Sequence, residues 1–114
     1  MLDLDHIISG YRDEADVDFV GLWQIASTIQ SDSGSPDQVQ IRRYALEVAR
    51  GLMALGVYPG EYTLEDLQQG RGVQFWPGMP DELLNRIEAE WILLGTTPNL
   101  EHTICWFALR PEAK

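Results

Sequence analysis

A chain of 114 residues with 45% hydrophobic content has room for one continuous apolar core and not for two, so a single domain over 1–114 is expected. The formal net charge of −10 repels phosphate backbones and anionic membranes and attracts basic partners, which argues against nucleic acid and membrane surfaces. No run approaches the roughly 20 apolar residues of a membrane span, and Met1-Leu2-Asp3-Leu4-Asp5 lacks the basic start of a secretory signal, so a cytoplasmic location is expected.

The first periodic segment holds Leu4, Ile7, Ile8 and Tyr11, which suits a short helix ending near Ser9-Gly10. Asp16 is placed to cap a longer helix to about Gln30, with Phe19, Leu22, Trp23, Ala26 and Ile29 on one apolar face. Ser31 to Pro36 reads as an inter-helix loop. Pro36 then starts a helix whose stripe is Ile41, Ala45, Val48, Leu52 and Leu55, stopped at Gly56. On its exposed face Arg43, Glu47 and Arg50 are spaced for the glutamate to pair with both arginines.

Beyond Gly56 the signals turn strand-like. Val57-Tyr58 precede an expected Pro59-Gly60 turn, Tyr62-Thr63-Leu64 follow, and a Gly70-Arg71-Gly72 loop leads into Val73-Gln74-Phe75-Trp76. Thr63 to Gln69 can instead form one helical turn. Pro80, Asp81 and Glu82 open a helix with the stripe Leu84, Ile87, Trp91 and Leu94, closed by Gly95. Thr103 to Leu109 is apolar on both alternating faces and is predicted to be a buried strand. The expected fold class is therefore α+β: three main helices with a small antiparallel sheet. A long helix running straight into a turn-rich ribbon suggests a winged-helix-like arrangement.

Sites for chemistry are sparse. The sole cysteine, Cys105, lies among Ile104, Trp106 and Phe107, which suits a buried thiol in a reducing compartment. With His102 it makes an H-x-x-C spacing, but residues three apart on a strand point to opposite faces, so no metal site is expected. No serine lies in a nucleophile elbow, and no carboxylate pair stands out from the many acids: Glu88 and Glu90, for instance, lie on different faces of one helix. Gly70-Arg71-Gly72 lacks the long glycine spacing, lysine and following helix of a phosphate-binding loop. The expectation is a chain with no catalytic residues, cofactor or metal.

Charge distribution carries the remaining signal. Residues 1–37 sum to −7, residues 38–56 to +2 and residues 57–114 to −5. Asp3, Asp5, Asp13, Glu14, Asp16 and Asp18 crowd the first eighteen residues. Gathered in a patch, Asp13, Glu14, Asp16 and Asp18 would steer a basic protein onto this surface. Trp76, in Gln74-Phe75-Trp76-Pro77, is a candidate aromatic anchor for the same partner, or else a core side chain. The contrasting reading places Arg42, Arg43 and Arg50 on a recognition helix and Arg71 at a wing tip, as in a DNA-binding regulator; Glu47 among the arginines and the absence of lysine there oppose it.

The segments Gly21-Leu22-Trp23-Gln24-Ile25, Phe75-Trp76-Pro77, Arg86-Ile87-Glu88-Ala89-Glu90-Trp91 and Trp106-Phe107 resemble a group of small, acidic, uncharacterised bacterial proteins. That group is similar in size, charge and lack of catalytic motifs to antagonists encoded beside polymorphic toxins. The resemblance implies an immunity-type inhibitor that occludes a basic toxin or nuclease; the alternative is a winged-helix DNA-binding transcriptional regulator.

Overall fold

The computed structural model describes residues 2–111. Within them the chain is α+β: five helices and a four-stranded antiparallel sheet. Helix α1 (Leu4–Glu14) begins where the Asp3 carboxylate accepts from the His6 amide at 3.1 Å. It runs through Gly10 and outlasts the predicted stop, because Ile7 is buried, and Ile8 and Tyr11 pack against the same core.

The next helix starts later than the sequence suggested. Asp16 does not cap it; its carboxylate instead accepts from Arg12 Nη1 at 3.0 Å, and Val20–Gly21 form strand β1. Helix α2 (Leu22–Ser33) opens after Gly21, whose amide donates to Gln24 Oε1 at 2.7 Å. It ends at Gly34 in the left-handed conformation, φ 66°. Helix α3 (Gln38–Ala54) is capped by Asp37, which accepts from the Val39 amide at 2.9 Å. Its Ile41, Ala45, Val48, Ala49 and Leu52 are fully buried between α1, α2 and the last helix.

Strand β2 (Val57–Glu61) follows at once and passes straight through Pro59-Gly60, where a turn was predicted. The Pro59 carbonyl accepts from the Trp76 amide at 3.1 Å. A residue's amide and carbonyl point the same way in a strand, so the missing proline donor falls on the side of the short edge strand, where its loss is tolerated. A one-turn helix, α4 (Leu64–Gln68), links β2 to β3 (Gln74–Phe75). Helix α5 (Pro80–Leu94) has proline at its start and ends at Gly95, φ 77°. Strand β4 (Trp106–Leu109) is shorter than the predicted Thr103 to Leu109, because Ile104 sits at φ 72° and breaks the extended run.

The sheet order is β1-β4-β2-β3. Pairing sets Val20 against Phe107, Pro59 against Phe107, and Gly60 against both Trp106 and Phe75. Val57, Pro59 and Phe107 share the face that packs on the helices, and all three are buried. Trp91 fills the centre at 2% exposure; burying such a side chain contributes several kcal/mol. No described helix is long and apolar enough to cross a membrane.

Candidate functional site: an acidic turn and groove

The end of α1 and the turn after it gather the predicted acids. The Asp16 amide donates to the Asp13 carbonyl at 3.1 Å, and the Val17 and Asp18 amides to the Glu14 carbonyl at 3.0 and 2.9 Å. That winding presents Asp13, Glu14, Asp16 and Asp18 to solvent around Val17, which is 85% exposed. The four are not equally free. Asp16 is engaged by Arg12, and Asp18 Oδ1 accepts from the Phe19 amide at 2.8 Å.

Behind the turn lies a groove of about 340 Å³ between α1 and α2, with Tyr11 as its floor and Glu14 and Asp32 among its walls. The Tyr11 hydroxyl donates to the Gln24 carbonyl at 2.9 Å and lies 2.6 Å from Thr28 Oγ1. Burial raises the Tyr11 pKa from its ordinary value, the Thr28 hydrogen bond lowers it, and the negative charges of Glu14 and Asp32 raise it further. The same two carboxylates would favour an incoming cation. Asp32 was missed in the sequence, where it looked like loop; carried past Gln30, the helix places Asp32 one turn beyond Thr28.

Trp76 does not belong to this surface. It is 5% exposed and packs in the core, with the Arg86 guanidinium 3.7 Å from its ring centroid, so it is not available as an anchor for a partner. Its indole nitrogen, like that of Trp23, is buried without a hydrogen-bond partner in the described structure.

The residues of the DNA-binding reading are also placed. Arg42, Arg43 and Arg50 line a groove of about 440 Å³ between α3 and α5 that they share with Glu47 and Glu88. Arg50 pairs with Asp81 at 3.1 Å, not with Glu47 as the helical spacing predicted. Arg71 is held inside its own hairpin: Nε donates to Asp66 Oδ1 and Nη1 to Gln69 Oε1, both at 2.9 Å. Asp66, 4% exposed, also accepts from the Thr63 amide at 2.9 Å, and these interactions keep its carboxyl below the usual aspartate value. A guanidinium committed in this way is a poor probe of a minor groove.

Cys105 is buried, and desolvation together with nearby Glu90 pushes its thiol far up. Among the described residues there is no group of three or more side chains able to hold a metal ion. Comparison with protein-family models, with curated proteins and with solved structures finds no match to this chain. The winged-helix-like arrangement therefore has no counterpart to support it.

Proposed function

We propose that this chain is a non-catalytic protein-interaction module, an immunity-type inhibitor that binds a basic toxin or nuclease and occludes its active site. The observation that carries the reading is the acidic turn: Asp13, Glu14, Asp16 and Asp18 project around an exposed Val17, with Asp32 and Glu14 flanking the adjoining groove. An exposed valine in a turn of carboxylates suits a basic surface with a small apolar depression. Within a chain of net charge −10, such a patch accelerates encounter with a cationic partner and orients it. Inhibition is then steric and electrostatic, with carboxylates occupying positions where phosphates would sit, and requires no chemistry from this chain. The cytosol is where such an antidote would act.

The test is capture from lysate of the source cells at low and high salt, comparing the native protein with D13N/E14Q/D16N/D18N. One basic protein retained by the native chain at low salt, released at high salt and lost on neutralisation is expected. Undiminished capture by the neutralised variant would sink the proposal. Recovery of specific DNA with no protein partner would transfer function to α3 and Arg71.

A further inference from the structure

The outer face of the sheet carries a feature that the core does not explain. Strand alternation turns Val57, Pro59 and Phe107 toward the helices and Gly60 and Trp106 away from them. On that outer side Phe19, Tyr62 and Trp106 form a row of edge-to-face rings, with centroids 4.8 Å and 6.2 Å apart and planes at 71° and 74°. All three are half-buried, and they stand apart from the main core cluster.

Carboxylates outnumber cationic groups around the row. Asp18 precedes Phe19 and is hydrogen-bonded to its amide. Glu61, Glu101 and His102 line, with Tyr62 and Trp106, a cleft of about 440 Å³ that also holds Leu100, 65% exposed. Ile104 in the same cleft is a β-branched residue at φ 72°, a conformation such side chains rarely adopt and one that tends to persist where the surrounding structure holds a site in shape. Elsewhere in the molecule aromatic faces receive guanidinium groups: Arg110 lies 3.5 Å from the ring centroid of Tyr58, as Arg86 does at 3.7 Å over Trp76.

We infer that the Phe19, Tyr62 and Trp106 row is the docking surface for an arginine-bearing segment of a basic protein partner, with a guanidinium against the aromatic rings and Asp18 and Glu101 as its counter-charges. The inference rests on the acidic-surface reading and extends it, because the turn 13–18 runs directly into Phe19 and makes one continuous surface with the row. Charge fixes the class of occupant. Bases can stack on sheet aromatics, but the carboxylates beside the row, in a chain of net charge −10, repel the phosphates that would accompany them. Arginine is preferred to lysine because its planar group both stacks and forms paired hydrogen bonds with carboxylates.

The test is an NMR titration of backbone amides and indoles with a deca-arginine peptide, a deca-lysine peptide and a thymidine oligonucleotide. The native protein is compared with Trp106→Leu, Tyr62→Leu and D13N/E14Q/D16N/D18N. Expected are shifts at the Trp106 indole and at Asp18, Tyr62 and Glu61, affinity for arginine about fivefold or more above lysine, and loss of that preference in whichever leucine variant keeps the native spectrum elsewhere. Equal affinities with shifts confined to 13–18 and Asp32 would overturn the inference and leave the acidic-surface reading standing. Absence of binding by either peptide would overturn both. Oligonucleotide shifts at the aromatic row without peptide binding would assign the row to nucleic acid instead.

Discussion

The helical body and the arm formed by β2, α4 and β3 are built on different principles. In the body Ile25, Ile29, Ile41, Val48, Leu52 and Ile87 are fully buried, so the centre of the packing of α3 against α1, α2 and α5 is apolar, with ionic groups such as Arg50 and Asp81 only at its rim. In the turn of the arm the buried group is a carboxylate: Asp66 accepts from the Thr63 amide, donates its own amide to the Thr63 hydroxyl oxygen, and holds Arg71 through both side chain and carbonyl. Apolar burial is indifferent to pH and nearly so to salt, whereas a network closed by one ionised group depends on that group's charge. The body therefore sets global stability, and the arm sets how the β2 end of the aromatic row is held.

The largest effect that this contrast predicts is in the body. Trp91→Ala removes a fully enclosed side chain and should cost about 3–5 kcal/mol, read from urea denaturation, with little change between pH 7 and moderate acid. A loss under about 1 kcal/mol would mean that the body is not the stabilising unit described. Gly60→Ala comes next. A methyl group there would collide with the Gln74 carbonyl oxygen and lie 2.7 Å from the Phe75 Cα, in the pairing of β2 with β3. A cost of about 1–3 kcal/mol is expected, with faster hydrogen exchange at the Trp76 amide and unchanged exchange within α3.

The smallest effect, and the one that sharpens the comparison most, is Asp66→Asn. The carboxyl is held below its ordinary value of 3.8, first by the Thr63 backbone hydrogen bond and also by Arg71. A lowered folded-state pKa gives stability that is present above the ordinary value and lost as pH falls through the folded one. The variant should therefore be less stable than the native protein at pH 7, and the two should converge in acid below that value. Parallel curves across the whole range would show that Asp66 contributes shape and not charge.

The same division decides what could be read in advance. Helices α3 and α5 were legible because a sustained apolar period coincides with unambiguous punctuation, Pro36 and Gly56 for one and Pro80 and Gly95 for the other. The start of α2 was not. Asp16 has the chemistry of a cap and Phe19 continues the helical stripe, but Arg12 claims the aspartate and a two-residue strand has no period to announce it. Pro59-Gly60 has turn chemistry, yet tertiary pairing with Phe107 and Trp106 keeps it extended. Of the candidate surface, the acids at 13–18 were visible as a cluster, while Asp32 and the alignment of Phe19 with Tyr62 and Trp106 arise from contacts distant in sequence.

Cys105 gives the molecule a built-in clock. Its carbonyl accepts from the Leu22 amide at 3.2 Å where β4 meets the start of α2, and its side chain is enclosed at 1% exposure beside the helical body. A thiol-specific label can reach it only during moments when the strand and the helices part. The rate of alkylation under native conditions thus counts those openings without any introduced probe, and a bound partner that clamps β4 through Trp106 would slow the count in proportion to its occupancy.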